Sequence, residues 1–298
     1  TTDLTGTPTY VKVKGEIELN ATVDVPATKN IMLVAAEDTT IKRAAGFTGS
    51  MFTVNGGNLQ MAGGSVTDSN GTAIGSGSLT VDGSGDGVTG SIVEVVSGNY
   101  GLTDDAVLTG NKTTGNAGAI SNTADGNVYL LGGTITGNSA TTGGAIYSEG
   151  AVSIRGTVSV TGNTVINSTP ETASNVVLDK NGIINVNGAV TGSTIGLAVQ
   201  EAAAGRTVVK LADGVTDVTL SDVTSVTPWV VGVTVADGLS LKTVKDQSFQ
   251  GVHRQRFRQR RGCRVMAYHF VEQIAQLLEL FGIVNGCFAD TVSSLVPL

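Results

Sequence analysis

Two acids, Asp125 and Glu149, stand 24 residues apart, and Arg155 follows six residues later. That spacing carries chemistry only if the chain returns to the same place every two dozen residues. Stacked in that way, carboxylates about 5 Å apart form the pair of a retaining glycoside hydrolase. Arg155 beside them would supply the basic group of a polysaccharide lyase. The competing reading is that all three are solvated corner residues. Tyr129 and Tyr147, with Tyr100 and Trp229, are the rings expected at the surface of residues 1–250. Such rings stack on the apolar faces of sugars. Tyr147 follows Ile146, so it faces outward if Ile146 faces inward. Isolated surface placement is the simpler reading of these rings.

Other spacings promise less. Gly85-Asp-Gly-Val-Thr-Gly90 has the pattern of a dinucleotide loop, but Ile92–Val96 after it is strand-like where a helix is needed. Asp82-Gly-Ser-Gly-Asp-Gly87 is one copy of a calcium-type repeat, and a stacked site needs several. Cys263, Cys287, His253 and His269 fit no zinc spacing. No metal and no cofactor is expected. Residues 1–250 hold no Cys and no His, which excludes thiol and imidazole catalysis there.

The elements that must position these residues are read from composition and repeats. Gly 41 and Thr 39 in 298 residues, with 14% charged residues, describe a turn-rich, β-prone chain. Residues 1–250 carry 12 Lys+Arg against 22 Asp+Glu, a balance of −10; residues 251–298 carry 6 Arg against 3 acids, a balance of +3. An acidic body disfavours nucleic acid and anionic lipid as partners. No run of 18 apolar residues exists, so no membrane insertion is expected. Thr1 in place of an initiator Met reads as a mature or trimmed chain. The Cys-free, Thr- and Gly-rich body suits an extracellular setting.

Thr-Gly-Asn recurs at 109–111, 136–138 and 161–163, with spacings of 27 and 25. Gly-Ala-Ile recurs at 118–120 and 144–146, a spacing of 26. Each unit reads as three short strands with glycine corners and no helical period. A unit of about 25 residues of that kind is one coil of a parallel β-helix. Asn111, Asn138 and Asn163 should then stack as a structural amide ladder along the axis. At about 4.8 Å per coil, roughly nine coils in 10–245 would span about 45 Å. The expected organisation is 1–40 as N-terminal strands or cap, 41–200 as repeats, 201–248 as terminal coils, and 249–298 as a basic run followed by an amphipathic helix. In that last segment Phe270, Ile274, Leu277, Leu278 and Phe281 share one helical face. It reads either as a cap over the open end of the strands or as a stretch foreign to the domain.

The segment Ile135-Thr-Gly-Asn-Ser-Ala-Thr-Thr-Gly-Gly-Ala-Ile-Tyr147, followed by Val152–Thr164, resembles the repeats of bacterial adhesin-like right-handed parallel β-helix proteins. Gly-Gly-Ala-Ile is similar to an element of polymorphic outer-membrane protein repeats. Their companion Phe-x-x-Asn is replaced here by Thr-Gly-Asn. The resemblance covers roughly 10–245. It implies one all-β, right-handed solenoid and a secreted or surface-attached bacterial stalk or adhesin, part of a larger surface protein and without enzymatic activity, that meets glycans or host surface proteins. It carries no catalytic residues over. Polysaccharide cleavage through Asp125, Glu149 and Arg155 is the alternative.

Overall fold

A computed structural model describes residues 4, 6–103, 105–166, 172–190, 193–200 and 206–212, with the strand backbones of 229–234 and 238–243. The chain divides into two compact units, Thr1–Asp246 and Gln247–Leu298, and the described residues all belong to the first. The expected basic run and amphipathic helix of 249–298 lie outside the described residues, as does much of 201–248.

The described residues form strands and no helix. In chain order these are β1 Thr9–Leu19, β2 Val23–Pro26, β3 Asn30–Arg43, β4 Phe52–Ala62, β5 Val66–Thr67, β6 Ala73–Gly75, β7 Leu79–Val88, β8 Val93–Leu102 and β9 Ala106–Thr113. Then come β10 Ile120–Asn122, β11 Gly126–Leu130, β12 Thr134–Thr136, β13 Ser139–Ala140, β14 Ile146–Ser148, β15 Ala151–Ile154, β16 Ser159–Val160 and β17 Thr164–Val165. The last are β18 Thr172–Ala173, β19 Val176–Leu178, β20 Ile183–Val186, β21 Thr194–Ile195, β22 Leu197–Val199, β23 Thr207–Leu211, β24 Trp229–Thr234 and β25 Gly238–Thr243. One sheet holds 23 of them, and β5–β6 forms a separate antiparallel pair. The large sheet is mostly parallel; β17–β18, β23–β25 and β24–β25 are its antiparallel contacts.

Parallel registry stacks like positions. Ile17, Ile41, Val81, Leu108, Ile135, Val160 and Ile195 are successive partners down one series of strands. A second series runs Leu33, Met61, Leu102, Leu130, Ile154, Val186. A third runs Phe52, Val93, Ile120, Ile146, Val176, Leu197. All but Ile17 of these side chains are buried, and Ile17 packs against the same core. The cause is the period-2 alternation, which sends every second side chain to one face. Each buried Val, Leu, Ile or Phe contributes about 1.5–3 kcal/mol.

The spacing along the chain is not uniform. Ile41 and Val81 are 40 residues apart, and the β5–β6 hairpin takes up the excess. Val160 and Ile195 are 35 apart, with the β17–β18 excursion between them. Insertions of this kind leave the register of the flanking strands intact, because lengthening a loop costs little.

Tyr100 departs from the sequence expectation. It is fully buried, and its hydroxyl donates to Met61 Sδ at 3.3 Å. Burial pushes the phenol above its ordinary range. Its register partners Leu59 and Val128 are core residues, so the ring belongs to an interior column.

The two Gly-Ala-Ile elements are glycine-bearing because chains approach closely there. A β-carbon on Gly118 would overlap the Gly144 carbonyl oxygen, and one on Gly144 would lie 2.6 Å from the Thr164 amide nitrogen. Ala119 and Ala145 beside them are fully buried. Gly118→Ala is expected to lower unfolding stability by about 1–3 kcal/mol through overpacking. Urea unfolding of the variant measures it, and an unchanged midpoint would show that the backbone yields there.

Candidate functional site

The most developed polar arrangement is a buried chain of amides. In each Thr-Gly-Asn element the glycine has positive φ (Gly110 76°, Gly137 68°, Gly162 67°), which turns the backbone and sends the following Asn inward. Asn111, Asn138 and Asn163 are all 0–1% exposed. The Asn111 backbone N–H donates to Asn138 Oδ1 at 3.1 Å, and the Asn138 N–H donates to Asn163 Oδ1 at 3.0 Å. Asn138 Nδ2 also reaches Asn163 Oδ1 at 3.1 Å. The same amide nitrogen donates to the carbonyls of Leu108 at 3.1 Å and Thr136 at 3.0 Å. Asn163 repeats the pattern with the carbonyls of Ile135 and Thr161, both at 2.9 Å.

The amide chain has two further members that the repeat spacing does not mark. Asn175 accepts from Asn163 N–H at 3.2 Å and from its Nδ2 at 3.0 Å. It follows Asn163 by 12 residues and lacks the Thr-Gly before it. At the other end Arg43 Nη2 donates to Asn111 Oδ1 at 3.3 Å. Every Oδ1 in the series faces its N-terminal neighbour, so the aligned amide dipoles leave their negative end at Asn111. Arg43 is placed there and is 5% exposed. Its guanidinium also donates to the carbonyls of Gly83 (Nε, 2.8 Å), Ser91 (Nη2, 3.4 Å), Phe47 (Nη1, 3.5 Å) and Gly49 (Nη1). It stacks over the Phe47 ring, 5.1 Å from the centroid. Burial lowers its pKa from the ordinary arginine value. Arg43 falls two residues after the buried Ile41, on the inward side of the β3 alternation, and that position is the one hint of this role in the sequence.

The acids are arranged less favourably for chemistry. Asp125 is exposed, in the three-residue turn between β10 and β11, with its N–H donating to Thr123 Oγ1 at 3.3 Å. Glu149 is half-buried in the two-residue turn between β14 and β15, its N–H donating to the Asn122 carbonyl at 2.9 Å. The turns differ in length, so the two acids fall outside the paired register of Asn122↔Ser148 and Asn127↔Ala151. Arg155 follows β15 at its far end, where its N–H donates to the Leu130 carbonyl at 3.0 Å. The four residues of β15 put about 13 Å of strand between Glu149 and Arg155. The backbone therefore does not carry Arg155 to the acids. Among the described residues no cluster of three or more His, Cys, Asp or Glu side chains could hold a metal ion.

The two tyrosines sit on different outward rows. Tyr147 belongs to Glu94, Ser121, Tyr147, Val177 and Ala198, and its hydroxyl lies 3.5 Å from Gln200 Oε1. Tyr129 belongs to Gly101, Tyr129, Ser153 and Asn185. Both rings are half-buried.

A third outward row is richer. Thr40, Thr80, Val107, Thr134, Ser159 and Thr194 are successive register partners, every one half-buried. Beside it run Glu18, Lys42, Asp82, Thr109 and Thr136. The hydroxyl row's spacings of 40, 27, 27, 25 and 35 are too uneven for one period to show the whole row in the sequence. Comparison with protein-family models, with curated proteins and with solved structures gives no match.

Proposed function

We propose that the parallel strands wind into a right-handed β-helix and that this chain is a non-enzymatic module of a bacterial cell surface, a spacer or adhesin that meets glycans. Right-handedness follows from the strong preference of parallel crossovers. The observation that carries the reading is the hydroxyl row from Thr40 to Thr194, five Thr or Ser among six stacked positions. Hydroxyls repeated at strand spacing, about 4.8 Å, offer a repeating ligand many weak contacts. Inside, the buried polar residues bond one another and the backbone, which is an investment in architecture.

The test incubates residues 1–298 with neutral and acidic polysaccharides in the presence of calcium. Retention on the polysaccharide and release of reducing ends are measured in parallel. Retention without new reducing ends is expected, weakened at least tenfold by Thr80→Lys with Thr134→Lys. New reducing ends would overturn the non-enzymatic reading and direct mutation to Asp125 and Glu149. Retention indifferent to the two substitutions would remove the hydroxyl row from the binding face.

A further inference from the structure

Strand β1 lies at one margin of the large sheet. Among the described residues it pairs with β3 alone, so the N–H and C=O groups of its other edge meet no strand. Among the described residues ahead of it, Leu4 does not cover that edge. Leu4 lies against Gly101, where a β-carbon would come within 2.8 Å of its Cδ1. Gly101 is three strands away through the pairs Tyr10↔Met32, Met32↔Gln60 and Gln60↔Gly101.

The edge also leaves core positions half-covered. Val11, Val13, Ile17 and Leu19 pair with the buried positions Leu33, Ala35, Ile41 and Arg43. Val11 is 38% exposed, and Val13, Ile17 and Leu19 are only partly buried. Bare apolar edges invite pairing, and natural sheets defend against it or use it.

The order of residues in β1 says which. Residues 11–19 read Val-Lys-Val-Lys-Gly-Glu-Ile-Glu-Leu. Reversed about Gly15, each Lys meets a Glu and each apolar residue meets an apolar one. The pairs are Lys12 with Glu18, Lys14 with Glu16, Val11 with Leu19, and Val13 with Ile17. Gly15 is a corner: its φ is 68° and the β1–β3 register shifts there. A bent strand can pair antiparallel with its own copy when the two-fold axis passes through the bend, because each arm then meets the other arm of the copy. A parallel in-register partner would instead set Lys on Lys and Glu on Glu, which is repulsive. The charges are available for this. Glu16 and Glu18 side chains are 64% and 61% exposed although Lys42 approaches them at 2.5 and 3.5 Å.

We infer that two copies of this chain join through antiparallel pairing of β1 with β1 about a two-fold axis at Gly15. The interface is self-complementary, as a two-fold contact requires. It extends the sheet across the dimer and covers Val11 and Val13 with Leu19 and Ile17 of the second copy. Four Lys–Glu pairs cross it.

Sedimentation of the full chain from micromolar to submillimolar concentration tests this. The expected species has twice the chain mass of 30.2 kDa. Lys12→Glu with Lys14→Glu turns the four attractive pairs repulsive and should weaken self-association about a hundredfold, as should Glu16→Lys with Glu18→Lys. Mixing the two double variants restores every opposite-charge pair, so the mixture should dimerise where neither variant does alone. That rescue also shows that both variants are folded. A wild-type monomer throughout the range, variants that remain dimeric alone, or a mixture that stays monomeric would each overturn the inference.

Discussion

Arg43→Met is expected to cost about 3–5 kcal/mol of unfolding free energy, because several buried acceptors lose a charged donor together. The methionine fills much of the volume and removes every donor. The carbonyls of Gly83, Gly49 and Ser91 and the Asn111 Oδ1 then lose their guanidinium partner inside the protein. An unpaired buried acceptor costs about 1–3 kcal/mol. The negative end of the amide series is left bare at the same time. Arg43→Lys should recover little, because a point charge with three donors cannot span acceptors placed around a planar fork. Urea unfolding of the three proteins at neutral pH is the measurement. A loss below about 1 kcal/mol in the methionine variant would show that the carbonyls find other donors or water.

Asn138→Ala is expected to cost about 3 kcal/mol. It orphans the Asn111 N–H and withdraws the amide donor from the Leu108 and Thr136 carbonyls, at about 1 kcal/mol or more for each group. Asn138→Asp is the sharper probe. The carboxylate keeps the acceptor for Asn111 but turns oxygen toward three oxygens, those of Leu108, Thr136 and Asn163 Oδ1. Burial and these neighbours favour the protonated acid, so the folded pKa rises above the unfolded value of about 3.9. A raised folded pKa means that the native state holds the proton over a range where the unfolded chain has lost it. Stability then falls as pH rises from the unfolded pKa to the folded one, and is flat beyond. The aspartate variant should accordingly lie closest to wild type near pH 4 and furthest from it at pH 7. Thermal melts of both proteins at the two pH values measure this. An aspartate variant with equal deficits at both would mean that solvent reaches the site.

The amide series also shows where sequence reasoning carries and where it stops. Thr-Gly-Asn at spacings of 27 and 25 marks Asn111, Asn138 and Asn163 as equivalent positions, because the Gly corner and the inward Asn are local features. Asn175 and Arg43 occupy the same series with no such local mark; chain excursions bring them in. Tyr100 shows the opposite error. Its ring is expected at the surface, yet strand registry places it among Leu59 and Val128. Asp125 and Glu149 are separated by a count that matches the register of β11 and β15, but the turns before those strands differ by one residue and the carboxylates sit in the turns.

Alternation of apolar and polar residues, glycine corners and the charge order of Val11–Leu19 are properties of neighbouring residues and can be read along the chain alone. Side-chain direction in a strand and positive φ at glycine are decided within a few residues. Which strands became partners depends on contacts between distant parts of the chain. Ile41 meets Val81 across 40 residues, and Val160 meets Ile195 across 35. Loop closure grows slowly with length, whereas a misaligned register would expose a whole column of buried side chains. Burial therefore chose the partners and let the intervening hairpins take any length, which is why the whole hydroxyl row from Thr40 to Thr194 is visible in space and shows no single period in the sequence.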